Sequence, residues 1–174
     1  MFIRDRFLPE AADAQAVTKG ELQRSIAFAK SRVYPALVNI SIISVRYRGG
    51  RPVRVGGQGS GVVVSPAGHV LTNFHVAGGA KRILCTLPTN ESIEADVIVH
   101  DPLTDISLLQ LRLAERRNPE KPLPFASLGD SDALEVGDYV LAMGNPRGLS
   151  SSMTLGIVAN TKRVFMNAGG GGIQ

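Results

Sequence analysis

The segment Gly59-Ser60-Gly61-Val62-Val63-Val64-Ser65-Pro66-Ala67-Gly68-His69-Val70-Leu71-Thr72 constrains the fold of this chain more than any other. Val62 to Val64 are β-branched, so they pack well on a pleated surface and are stiff in a helix. Ser65-Pro66-Ala67-Gly68 puts proline early and glycine late, the chemistry of a tight turn. His69 to Thr72 return on the far side, so the segment reads as a β-hairpin. The same texture recurs. Val38, Ile40, Ile42 and Val45 form a strand running into Arg48 and ended by Gly49-Gly50. Further strands are expected at Arg82–Leu87, Ile93–His100, Ile106–Leu111, Asp138–Met143 and Met153–Asn160. Many short strands between closely spaced turn signals indicate an all-β barrel or sandwich. With 174 residues, 44% of them apolar, the chain is long enough for a packed core in one domain or two small ones.

One segment departs from this pattern. In Gly20–Tyr34, Leu22, Ile26, Ala29 and Val33 fall at three- and four-residue steps, which predicts a short helix whose apolar stripe packs on a sheet. Pro35 stops it. Residues 1–35 are therefore read as an arm and helix, and 36–114 as a first β unit. Glu115–Pro124 is polar with three prolines, so 115–125 is read as a linker, and 126–174 as a second unit.

Charge and cysteine content narrow the chemistry. The net charge is +4, with twelve Lys/Arg against four Asp/Glu before Glu91. The basic residues are scattered, only three tyrosines are present, and no nucleic-acid motif accompanies them, so a solvated basic face is preferred to a nucleic-acid surface. Cys85 is the single cysteine. It excludes an internal disulfide and a Cys-based metal site, and its apolar neighbours mark it as a core residue. No run reaches transmembrane length, no membrane role is expected, and Met1–Arg6 is followed by charge and proline rather than by the apolar stretch of a secretory signal.

Two residues carry candidate chemistry. His75 lies in Leu71-Thr72-Asn73-Phe74-His75-Val76, and Asp105 in Asp101-Pro102-Leu103-Thr104-Asp105-Ile106. An imidazole takes a proton near neutral pH and can act as a general base once a carboxylate fixes its tautomer. Each residue stands where a strand meets a turn, His75 at the rim of the β unit. His69 and His100 flank turns and are read as surface or structural residues. Asp101 is read as a turn residue before Pro102. Ser150-Ser151-Ser152 reads as a polar loop, and Ser60, between glycines inside a strand, is not a nucleophile elbow.

Several segments, in order, resemble the trypsin-like serine proteases of the HtrA (DegP-like) family. Gly59–Ser65 resembles the strand before the catalytic histidine, Gly68–Val76 the histidine motif, and Asp101–Leu109 the aspartate motif. Leu128-Gly129-Asp130-Ser131 and Val136-Gly137-Asp138 resemble the approach to a second barrel. Gly144–Gly148 and Ser152–Val158 resemble its first strands. The resemblance implies a chymotrypsin/trypsin-like double β-barrel, with the first barrel at 36–114 complete and the second truncated. It implies His75 as general base and Asp105 as its orienting partner. It implies a serine endopeptidase acting on protein or peptide substrates, with neither metal nor organic cofactor, in a family mostly extracytoplasmic. In the family the sequence runs on into the Gly-Asn-Ser-Gly-Gly nucleophile motif, which these residues do not contain. The chain alone is therefore expected to be inactive, with open barrel edges that favour self-association. The alternative is a non-catalytic pseudo-protease that binds peptides or partners.

Overall fold

A computed structural model describes residues 19–144, 152–162, 165–166 and 172–173. The amino-terminal arm, Ser150, Ser151 and the glycine run 169–171 lie outside the described residues.

Helix α1 spans Lys19–Val33 and passes into a 3₁₀ turn at Tyr34–Ala36 that contains Pro35. Its stripe is graded: Leu22, Ile26 and Ala29 are half-buried and only Val33 is fully covered. The chain then enters strands β1 (Leu37–Arg48), β2 (Arg51–Val63) and β3 (His69–Asn73), a single helical turn α2 (Phe74–Ala77), and strands β4 (Ala80–Thr86), β5 (Ser92–Asp101) and β6 (Ile106–Leu111). These six strands close into an antiparallel barrel in the order β1-β2-β3-β6-β5-β4. Closure removes exposed strand edges.

The expected Val62-to-Thr72 hairpin is present. Gly61 pairs with Thr72 and Val63 with Val70, and the turn closes through the Gly68 N–H donating to the Ser65 carbonyl at 3.1 Å. The first strands differ from expectation. Gly49-Gly50 does not merely end β1. It is a two-residue turn with φ of 55° and 75°, so β2 begins at Arg51 and pairs with β1 from Arg48↔Arg51 to Leu37↔Val62. Both turn positions need positive φ, which glycine supplies without steric cost. The first half of β2, Arg51-Pro52-Val53-Arg54-Val55-Gly56-Gly57, is exposed except at the half-buried Val55 and Gly57. Its strand character comes from pairing with β1 rather than from its own propensity.

The core lies inside the barrel. Ile40, Ile93, Leu109, Val63, Val70 and Cys85 are fully buried. Burial pushes the Cys85 thiol up to about 12, which keeps it protonated and unreactive near neutral pH. The proline-rich stretch read as a linker contributes Leu123 to this core, and the first residue after it, Ala126, joins the core too, its N–H donating to the Val63 carbonyl at 2.9 Å.

Beyond the barrel, β7 (Tyr139–Gly144) pairs antiparallel with β8 (Ser152–Ile157), and the short strands β9 (Phe165–Met166) and β10 (Gly172–Ile173) pair with each other. The architecture is all-β, with one closed barrel, a short amino-terminal helix, and two further two-stranded sheets among the described residues.

Candidate active site

The two candidate residues, 30 positions apart in sequence, meet at one end of the barrel. Strand β3 ends at Asn73 and α2 begins at Phe74, so His75 sits in a helical turn rather than on the strand end itself. Asp105 immediately precedes β6. Because β3 and β6 are paired, with Asn73 opposite Ile106, the register alone brings the two segments together. The Phe74 N–H donates to the Asp105 carbonyl at 2.9 Å and ties the start of α2 to this point.

Asp105 holds the histidine at two places. Its Oδ2 lies 2.7 Å from His75 Nδ1, and its Oδ1 accepts the His75 backbone N–H at 2.8 Å. One carboxylate thus fixes both the ring and the main chain that carries it. The Asn73 amide donates to Asp105 Oδ2 and to the Asp105 carbonyl, each at 3.2 Å. Asp105 adopts φ of 57°, a left-handed conformation uncommon outside glycine. This turn is supported by its neighbour: Asp101 accepts the Leu103 N–H at 3.0 Å and the Thr104 hydroxyl at 2.7 Å. Asp101 therefore has the turn role its position before Pro102 suggests.

Burial and charge differ across the pair. The Asp105 side chain is 27% exposed and that of His75 70%, so the carboxylate is sheltered while the ring opens to solvent. Partial burial raises the Asp105 carboxyl. The backbone N–H, ring and charge of His75, together with the Asn73 amide, outweigh that penalty and hold it below its ordinary value. An ionised carboxylate held against Nδ1 favours the tautomer with the proton on Nδ1, which leaves Nε2 as a free base.

A glycine explains how α2 fits. A Cβ on Gly59 would stand 2.5 Å from Val76 Cγ1. The side chain next to His75 therefore rests directly on the β2 backbone. The sequence motifs assign no role to Asn73 or Gly59. The side-chain asparagine in Thr72-Asn73-Phe74-His75 was the available signal, but its partner became identifiable only through the β3–β6 register.

His69 and His100 have other hydrogen-bond partners. Ser65 Oγ is 2.7 Å from His69 Nδ1 at the hairpin turn, and Ser107 Oγ is 2.7 Å from His100 Nδ1 inside the barrel. Among the described residues, no group of three or more His, Cys, Asp or Glu is placed to hold a metal ion.

Residues 59–172 match the trypsin-like peptidase domain family. The chain is similar to the mitochondrial serine protease HTRA2 of Bos taurus, with 35% identity over 83% of this chain and 30% of the relative. It is also similar to solved structures of the HtrA-type protease AlgW. A variant bound to a tripeptide is 32% identical with a TM-score of 0.65, covering 82% of this chain and 41% of that one. A variant bound to a decapeptide is 28% identical with a TM-score of 0.67, covering 84% and 53%. The chain spans less than half the length of the curated relatives it matches.

Proposed function

This chain belongs to the trypsin-like peptidase domain family as an HtrA-like member, and from that premise we propose that it carries the base half of a serine endopeptidase, with His75 as general base and Asp105 as the residue that orients it. The observation that carries this reading is the double hold of Asp105, 2.7 Å to the ring Nδ1 and 2.8 Å to the backbone N–H of the same histidine. A carboxylate so placed keeps Nδ1 protonated, presents Nε2 to a hydroxyl, and stabilises the imidazolium formed when that hydroxyl loses its proton. The solvent-facing ring suits a base that must meet a nucleophile from outside the barrel.

The nucleophile is the missing partner. Ser107 is fully buried against His100, and no serine after Asp105 stands in a Gly-Asn-Ser-Gly-Gly setting. Acyl-enzyme chemistry requires that hydroxyl. The family's oxyanion donors are the backbone N–H groups around it, each worth about 2.7–4 kcal/mol in the transition state. These 174 residues therefore form no acyl enzyme by themselves. With a nucleophile supplied, the substrate is a peptide bond in an extended chain, a reading supported by the AlgW relatives solved with a tripeptide and a decapeptide. In this reading residues 36–114 are the first barrel, and β7 and β8 belong to the second.

The test is a fluorophosphonate serine label applied to the chain. No adduct is expected at concentrations that fully label an active trypsin-like protease. Stoichiometric labelling of any serine here would overturn the proposal.

A further inference from the structure

We propose that His100 is a positioning residue for His75, acting through Phe74. The inference rests on the reading of His75 as the base and deepens it.

The argument starts from the parity of β5. Leu109 and Leu111 of β6 face the core, and their partners across the ladder are Val97 and Ala95. A regular strand would continue with Val99 inward. The register instead shifts between Val97 and Val99, so Val99 stands opposite Leu108 and His100 opposite Ser107. Ser107 is fully buried, whereas Ile98 and Val99 are 49% and 53% exposed. One extra residue at the bulge has turned Val99 outward, beside an Ile98 that faces outward in either case, and has turned the half-buried His100 inward. Re-aiming a side chain in this way is what a bulge does.

The inward histidine makes two contacts. Its Nδ1 shares a hydrogen bond with Ser107 Oγ at 2.7 Å, which satisfies a hydroxyl that would otherwise be buried without a partner. Its ring meets Phe74 edge to face, with centroids 5.3 Å apart and planes at 76°. Phe74 directly precedes His75, opens α2, and donates its N–H to the Asp105 carbonyl. The Ser107 bond locks the His100 ring, the ring backs Phe74, and Phe74 fixes the turn on which His75 and Asp105 meet. His100 touches no reacting group in this scheme, so its effect is on the placement of the base.

Amide hydrogen exchange and carboxyl NMR titration on the intact chain test this without requiring catalysis. His100→Ala is expected to speed exchange at Phe74 and His75 about tenfold relative to Ile40 and Leu109 in the barrel, as expected for a local opening. It is also expected to bring the Asp105 carboxyl back toward its ordinary value. His100→Phe combined with Ser107→Ala keeps a ring against Phe74 and buries no hydroxyl, and it is expected to restore the parent behaviour. Should His100→Ala also loosen the barrel amides, Ser107→Ala, which unlocks the ring without leaving a large void, is judged by the same criterion. Unchanged exchange at Phe74 and His75 with an unchanged Asp105 titration overturns the proposal, as does failure of the double substitution to restore them. An Asp105 that titrates at its ordinary value in the parent chain instead counts against the reading of His75 and Asp105 as a coupled pair.

Discussion

Asp105 concentrates the polar contacts of the site at one residue, and its ionisation gives a direct prediction. Its carboxyl is held below the ordinary value in the folded chain. The sign follows: a depressed carboxylate contributes stability that is complete above the unfolded value and is lost as pH falls through the folded one. Denaturant titrations between about pH 5 and pH 2 should therefore show a stability loss that is smaller in Asp105→Asn than in the parent. Parallel curves would contradict this. The asparagine variant should also be less stable at pH 7, because its amide group meets the donors of His75 and Asn73. Gly59 gives a second prediction at this scale. Gly59→Ala places a methyl against Val76 and should cost about 1–3 kcal/mol of stability, with faster amide exchange in α2 than in β4. His75 and Asp105 were legible in the sequence as residue types in the right order. Asn73, Gly59 and the left-handed Asp105 were not, because their roles depend on backbone approaches that only the strand register creates.

Among the elements, the hairpin of β2 and β3 and the strands β4 to β6 follow from alternating apolar residues and turn chemistry. The extension of β2 back to Arg51 does not, since Pro52 and Gly56-Gly57 interrupt the β-favouring Val53 and Val55 and no side chain there is fully buried. It is held by a long ladder and by the Gly49-Gly50 turn. Replacing Gly49 with Asn keeps the required positive φ and removes unfolded-state freedom, so it should stabilise the chain by about 0.4–1 kcal/mol. Val at the same position should destabilise it. Thermal midpoints for the two variants shifting in the same direction would refute the assignment. The bulge in β5 escaped the sequence for a similar reason: Val97-Ile98-Val99 is uniformly apolar, and nothing in it tells which side chains face inward.

For the whole molecule, the described structure is uneven. The barrel is closed and encloses one core. The β7–β8 pair leaves Tyr139, Leu155 and Ile157 at 47%, 41% and 60% exposure, with Val140 and Leu141 as its buried residues. A two-stranded sheet is marginal alone, so amide exchange should be slowest at Ile40, Ile93 and Leu109 and much faster throughout β7 and β8. Equal protection in both parts would count against this picture. The double-barrel class was legible from ordered motifs rather than from composition, because strand count and turn spacing alone admit a sandwich equally well. The central claim, that His75 and Asp105 are a working base awaiting a nucleophile, is tested most directly by joining this chain to the serine-bearing segment of an HtrA-type relative and measuring peptide hydrolysis. The joined protein should cleave an unfolded substrate, with kcat lowered about 10⁴-fold by Asp105→Asn and comparably by His75→Ala. Parent-level cleavage by either variant would contradict the account.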